Sequence, residues 1–147
     1  MSRRASDEPR LDGVRVLIAD DAPVVLEIVT EVLERVGAMV TAVDSPEAAL
    51  AALQSEPPDV LLSDLSMPGK DGYWLIGQVR ALPAERGGAT PAALTADIGS
   101  DQRARVLRAG FQHHVEKPVG ILGLVRIVAT LNDPCIQSRN GGRVGHR

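Results

Sequence analysis

The chain has 147 residues, of which 44% are hydrophobic and only 2% aromatic, and its formal net charge is -3. This length suits one domain with short tails, whose core has to be built mainly from Val, Leu, Ile and Ala. The mildly acidic balance and the scarcity of stacking aromatics disfavour nucleic acid as a partner. No apolar run is long enough to span a bilayer, and the lone Cys135 allows no internal disulfide. We therefore expect a cytoplasmic protein with no membrane segment.

Short apolar segments alternate with helical segments five times along the chain. The pattern predicts strands over residues 14–19, 38–43, 60–63, 92–95 and 113–115. Helical spacing, prolines in first turns and glycines after last turns predict helices over residues 23–36, 46–56, 73–82, 100–109 and 121–131. Strands that are apolar throughout are typical of a parallel sheet covered by helices on both faces. The expected fold class is therefore α/β, with a doubly wound sheet.

Three segments follow from this division of the chain. We predict a flexible N-terminal arm over residues 1–12, one domain over residues 13–132 and a disordered C-terminal tail over residues 133–147. Nothing after Leu131 resembles an output domain, so we expect either a stand-alone domain or one cut from a larger protein. The fourth strand contains small alanines that would pack loosely, and we expect it to be short or irregular.

Polar side chains follow the strands at the edge where ligands of open parallel sheets bind. Asp20 and Asp21 end the first strand, Asp64 the third and Thr95 the fourth, while Lys117 follows the fifth. Strand-end aspartates taken singly are usually helix caps or turn formers, and a lone Thr or Lys means little. Three carboxylates, a hydroxyl and an ammonium at one edge form a far more specific combination.

This combination suits phosphoryl transfer. Clustered carboxylates repel one another and stay ionised with a cation present, and Mg²⁺ prefers such oxygen ligands. One carboxylate can attack phosphorus and form an acyl phosphate, while a hydroxyl and an ammonium bind phosphoryl oxygens. Little covalent help is needed, because phosphoryl transfer depends mainly on positioning and charge neutralisation.

The chain resembles the receiver domains of response regulators in bacterial two-component signalling. The residues that carry this resemblance are Val16 to Asp21, Leu61 to Gly72, Ala93 to Ala96, and Gly110 to Pro118. The resemblance covers roughly residues 13 to 132. It implies a five-stranded, flavodoxin-like sheet of strand order 2-1-3-4-5.

The resemblance also assigns roles. It implies that Asp64 is phosphorylated, that Mg²⁺ is held by Asp20, Asp21, Asp64 and the backbone carbonyl of Ser66, and that Lys117 pairs with the phosphoryl group. Thr95 becomes the switch hydroxyl, and Pro118 follows Lys117 through a cis bond. The implied donor is a phosphohistidine on a sensor histidine kinase or phosphotransfer protein.

Output is expected through a surface. In this family it is usually formed by the fourth helix, the fifth strand and the fifth helix, and it binds a downstream protein. Here it includes Arg103, Val106, Leu107, His114, Val119 and Arg126. His114 stands where the family usually has an aromatic switch residue, and we expect it to move inward when Thr95 closes on the phosphate. Asp97, two residues after Thr95, is expected to affect the lifetime of the acyl phosphate.

Two other interpretations compete with this one. An aspartyl-phosphate hydrolase or phosphotransferase usually needs a second acid two residues after its nucleophile, where this chain has Ser66. A pseudo-receiver that only binds partners would not need the full set of site residues. We therefore expect a protein that catalyses only its own phosphorylation and dephosphorylation and is not a conventional enzyme.

Overall fold

A five-stranded parallel sheet forms the centre of the protein, seen in a computed structural model that describes residues 10–67, 69–83, 88–95, 100–117 and 121–132. In chain order the elements are β1 (Arg15–Ala19), α1 (Pro23–Arg35), β2 (Met39–Val43), α2 (Pro46–Ser55), β3 (Val60–Asp64), α3 (Gly72–Arg80), β4 (Thr90–Thr95), α4 (Ser100–Ala109), β5 (His113–Glu116) and α5 (Ile121–Leu131). The strand order is β2-β1-β3-β4-β5, and each neighbouring pair is parallel. The predicted doubly wound, flavodoxin-like fold is confirmed.

The sheet separates two hydrophobic cores. On one face, side chains of α1 and α5, such as Leu33 and Val128, pack against Ile18, Leu62 and neighbouring strand residues. On the other face, α2, α3 and α4 cover a second set of strand residues that includes Leu17 and Leu61. Successive residues of β1 and β3 therefore enter opposite cores, as the alternation of side chains along a strand requires. Both faces of the central strands are buried, which explains their uninterrupted apolar sequences.

Strand β4 is longer and more regular than predicted. It has six residues, all buried, and is paired with β3 from Thr90 to Leu94. The expectation of a short or irregular strand is wrong. Pro91 can belong to the strand because its lack of an N–H removes no hydrogen bond between strands. Its missing N–H lies on the side of β5, which starts only at His113, while its carbonyl accepts from the N–H of Gln112 at 2.8 Å. The small Ala92 and Ala93 are fully buried.

Two residues, Leu11 and Val106, also differ from expectation. Leu11, assigned to the flexible arm, is buried in the core, and its N–H donates to the carbonyl of Val36. Residues 1–9 and 133–147 lie outside the described residues, as do Asp97, Pro118 and Val119. Val106 was expected on the output surface but is fully buried, because it lies on the side of α4 that packs on the sheet.

No helix in the described part of the chain is both long and apolar enough to cross a bilayer.

Candidate functional site

The pairing of β1, β3 and β4 brings distant residues to one edge of the sheet. Ala19 is the partner of Ser63, so that Asp20 and Asp64 are the next residues on two neighbouring strands. Asp64 is in turn the partner of Leu94, which places Thr95 one residue further along β4. The convergence predicted from strand ends is present in the structure.

Three carboxylates form a compact acidic group. Asp20, Asp21 and Asp64 each offer an oxygen within 4.8 Å of the others. Asp20 is completely buried and Asp64 nearly so, whereas Asp21 is exposed. Burial, followed by repulsion from Asp20, raises the pKa of Asp64 above its ordinary value, although Lys117 and the Ser66 N–H act in the opposite direction.

Lys117 supplies the positive charge that faces this group. Its Nζ lies 2.8 Å from Oδ2 of Asp20 and 3.4 Å from Oδ1 of Asp64. Its backbone N–H donates to the carbonyl of Thr95 at 2.9 Å, which fixes the end of β5 beside the end of β4. Burial alone would lower the pKa of Lys117, but its contacts with Asp20 and Asp64 outweigh burial and raise it.

Backbone donors orient the two buried carboxylates. Oδ1 of Asp20 accepts from the N–H of Ala22 at 2.9 Å, directly before α1. Oδ1 of Asp64 accepts from the N–H of Ser66 at 3.3 Å. The hydrogen-bond and ion-pair contacts that the described residues make with the Asp64 side chain therefore fall on Oδ1. They leave Oδ2 of Asp64 available to a ligand.

The acidic group passes a structural test for a divalent cation. Oδ2 of Asp20 is buried, and its contact in the described part of the chain is the Lys117 ammonium at 2.8 Å. One ammonium therefore faces three clustered carboxylates, which leaves the group with an excess of negative charge. Such a set of hard oxygen ligands suits Mg²⁺.

Gly72 is a site residue that the sequence did not reveal. A Cβ at this position would lie 2.4 Å from the carbonyl oxygen of Asp64, so only glycine allows the loop after β3 to close against that backbone. The N–H of Gly72 donates to the carbonyl of Leu65 at 3.1 Å, and Asp71 caps α3 by accepting from the N–H of Trp74. In the sequence, Gly72 is only the last residue of the Leu61 to Gly72 segment that carries the family resemblance, and that segment does not predict its contact with Asp64.

The two predicted switch residues lie at different depths. Thr95 is buried at the end of β4, next to the acidic group in the sheet register. His114 is partly exposed on β5, where it pairs with Ala93, and its N–H donates to Nδ1 of His113 at 2.8 Å.

The fold and this acidic edge define a doubly wound α/β domain with a cation-compatible site at the carboxyl ends of its strands. The sequence model of the response regulator receiver domain matches residues 16–129. The chain belongs to the response regulator receiver domain family, and its role is that of a receiver in two-component phosphorelay signalling.

Individual relatives agree with this family. An uncharacterized 14.6 kDa protein of Leptolyngbya boryana is 42% identical over 77% of this chain and 86% of its own length. The sensor histidine kinase GacS of Pseudomonas protegens is 34% identical over 99% of this chain, which spans only 16% of that kinase. A CheY-like receiver domain structure from Methylobacillus flagellatus is 28% identical with a TM-score of 0.69, covering 82% of this chain and 99% of its own.

Proposed function

We propose that Asp64 is the residue that accepts the phosphoryl group in the phosphorelay. The observation that carries this proposal is the environment of its carboxylate at the end of β3. Oδ1 is contacted by the Lys117 ammonium and the Ser66 N–H, and the described residues leave Oδ2 open. Of the three carboxylates, Asp64 is the one with a contact to Lys117 and a second, uncommitted oxygen.

The transfer is a displacement at phosphorus. Oδ2 of Asp64 forms a new O–P bond as the N–P bond of a donor phosphohistidine breaks, and the electron pair of that bond leaves with the imidazole nitrogen. The imidazole then takes a proton from solvent. Lys117 would pair with a phosphoryl oxygen after transfer, and the Thr95 hydroxyl would donate a hydrogen bond to another. Because the phosphoryl group would stay on the chain's own Asp64 until it is hydrolysed there, the chain catalyses only its own phosphorylation and dephosphorylation.

Asp20, Asp21, Asp64 and the backbone carbonyl of Ser66 are the proposed ligands of Mg²⁺. The grouping of the three carboxylates, which a single ammonium faces, supports this assignment. When bound, Mg²⁺ would screen the negative charge of the incoming phosphoryl group and of the acidic residues.

The proposed output is a change in the surface formed by α4, β5 and α5. Arg103, Leu107 and Arg126 are exposed there, and His114 is partly exposed on β5. Closure of Thr95 on the phosphate would draw His114 inward and shift a pre-existing equilibrium of the surface. We infer a downstream protein as the partner of this surface and a sensor histidine kinase or phosphotransfer protein as the phosphoryl donor. The proposed setting is the cytoplasm, with residues 13–132 as the receiver unit.

The test is phosphorylation by a small donor, acetyl phosphate, with Mg²⁺, followed by intact-mass and peptide mass spectrometry. We expect one phosphoryl group on Asp64 of the wild type and none on Asp64→Asn. The matched control is Asp44→Asn, since Asp44 is an exposed aspartate directly after β2 and outside the acidic group. It should be labelled like the wild type.

Each alternative predicts a different outcome. Equal labelling of wild type and Asp64→Asn would refute the assignment of Asp64. Absence of labelling in all three proteins would support the pseudo-receiver that only binds partners. Repeated hydrolysis of a phosphomonoester by the wild type would support the hydrolase.

A further inference from the structure

The outer edge of β2 is open to pairing. β2 lies at one end of the sheet and, in the described part of the chain, pairs only with β1 in a continuous register. None of its five residues is buried, whereas every residue of β3 and β4 is. Natural edge strands usually carry a charge, a proline or a bulge that prevents pairing, and the sequence Met-Val-Thr-Ala-Val has none of these.

The backbone groups that face outward can be assigned from the ladder. The N–H of Met39 donates to Val14, and the carbonyl of Val43 accepts from Asp20. In a parallel strand both backbone groups of one residue point to the same side, and the sides alternate along the strand. Val40 and Ala42 therefore direct their N–H and carbonyl groups away from β1, towards an added strand.

Acidic side chains border this edge on the α1 face. Glu27, Glu31 and Glu34 line a groove of about 510 Å³ beside Ala42. Glu31 is paired with Arg35 at 2.7 Å, while Glu27 and Glu34 are exposed and make no ion pair with another described residue. They are seven residues apart, which is about 10 Å along a helix and comparable to a few residues of an extended strand.

The α2 face of the same edge is different. A groove of about 530 Å³ there is lined by apolar residues such as Met39, Ala52 and Pro58 and also by polar ones, among them Glu34. The charges of Arg15 and Glu56 at its rim lie 3.5 Å apart and neutralise each other. One groove beside β2 is thus bordered by three glutamates, and the other mixes apolar and polar side chains.

We propose that the edge of β2 binds an extended peptide strand of a partner protein in which basic residues alternate with apolar residues. Alternate side chains of an added strand point to opposite faces, so one set would meet Glu27 and Glu34 and the other the apolar residues Met39, Ala52 and Pro58 on the α2 face. A second copy of this chain fits the edge poorly. Antiparallel pairing of β2 with β2 of the second copy would put both α1 helices on the same face of the sheet. The negatively charged Glu27 and Glu34 of the two copies would then lie close together and repel one another. This function goes beyond phosphoryl transfer and uses none of the residues around Asp64.

The probe is a short fluorescent peptide of alternating lysine and valine, titrated against the full 147-residue chain. We expect saturable binding that weakens with added salt, and slower hydrogen exchange at the amides of Val40 and Ala42. A peptide of alternating glutamate and valine is the charge control and should not bind. Equal binding of the two peptides, or protection confined to other amides, would overturn the proposal.

Two variants test the backbone and the charge separately. Ala42→Pro removes an outward N–H without loss of a bond to β1, and should weaken binding roughly tenfold or more. The double variant Glu27→Gln/Glu34→Gln keeps the strand intact and should reduce both the affinity and its salt dependence. Glu47→Gln, an exposed glutamate on α2 away from both grooves, is the matched control.

The remaining outcomes would refute the charge argument or identify another occupant of the β2 edge. Unchanged binding by the double variant would refute the charge argument even if Ala42→Pro failed to fold. A dimer in sedimentation that Ala42→Pro abolishes would show that a second copy occupies the edge. Slow exchange at Val40 and Ala42 in the monomeric protein without peptide would show that another part of its own chain occupies it. Labelling of Asp64 by acetyl phosphate, expected to persist in Ala42→Pro, keeps this test distinct from that of the phosphoacceptor.

Discussion

The ammonium group of Lys117 contacts two carboxylates, Asp20 and Asp64, of which Asp20 has no access to solvent. Within the described residues it is the only side-chain cation in contact with the acidic group. Loss of this charge would leave a buried carboxylate without a counterion, a change that costs far more than the loss of an exposed ion pair. The raised pKa of Lys117 has the same cause, since the carboxylates favour its charged form.

We therefore predict that Lys117→Gln has two effects. In EDTA the free energy of unfolding should fall by roughly 1–3 kcal/mol, at the lower end of what removal of a buried partner costs because Lys117 retains some exposure. The initial rate of labelling by acetyl phosphate should fall by roughly two orders of magnitude, as is usual when a charged group at the reacting centre is lost. Urea unfolding and timed mass spectrometry measure the two quantities.

Lys70→Gln is the matched control for that substitution. Lys70 is an exposed lysine whose Nζ lies 3.8 Å from Glu47, outside the acidic group. Its replacement should change stability by less than about 1 kcal/mol and leave labelling unaffected. Similar losses in both variants would mean that the position of Lys117 has no special importance.

Helix α3 contains two glycines with opposite expected responses to alanine. At Gly72 an added Cβ would lie 2.4 Å from a backbone oxygen of Asp64, and at Gly77 it would meet nothing within 4 Å. Gly72→Ala should destabilise the fold by roughly 1–3 kcal/mol and slow labelling, because the backbone that carries Asp64 has to move. Gly77→Ala should stabilise the fold by up to about 1 kcal/mol through helix propensity and leave labelling unchanged. Urea unfolding of the two variants provides the comparison, and a neutral Gly72→Ala would show that this loop relaxes freely.

The elements show which features could be predicted and which could not. Apolar segments alternating with helical periods predicted every strand and helix, because each buries its own side chains in a local pattern. The site followed from the rule that strand ends meet at one edge, which placed Asp20, Asp64 and Thr95 together. The length of β4 could not be predicted, since the tolerance for Pro91 depends on where β5 begins. The contact between Gly72 and the backbone of Asp64 could not be predicted either. It depends on how the loop after β3 folds back, and this produces no periodic pattern in the sequence.

At the scale of the whole molecule, the ionised Asp64 carboxylate reduces the stability of the fold in the absence of a divalent cation. Burial and then the charge of Asp20 raise the pKa of Asp64, so the ionised carboxylate is less stable in the folded chain than in the unfolded chain. This penalty is present at pH values above the folded-state pKa and is relieved as the pH falls through it. The fold therefore bears a cost at neutral pH for an arrangement that suits a phosphoryl acceptor, as functional sites often do.

Asp64→Asn should remove this cost and separate stability from function. Without Asp64 the Lys117 ammonium still has its closer partner, Asp20 at 2.8 Å, and one like-charge repulsion is gone. In EDTA at neutral pH we expect the variant to be more stable than the wild type by roughly 1 kcal/mol, although it cannot be labelled. Excess Mg²⁺ should stabilise the wild type by binding only its folded state. It should stabilise the variant less, because the variant has lost one carboxylate ligand, so the difference in the free energy of unfolding should narrow or reverse.

Urea unfolding of both proteins in EDTA and in Mg²⁺ measures this difference. Asp44→Asn is the control and should follow the wild type in both conditions. A variant less stable than the wild type in EDTA would mean that the contact of Asp64 with Lys117 outweighs its burial and its repulsion from Asp20.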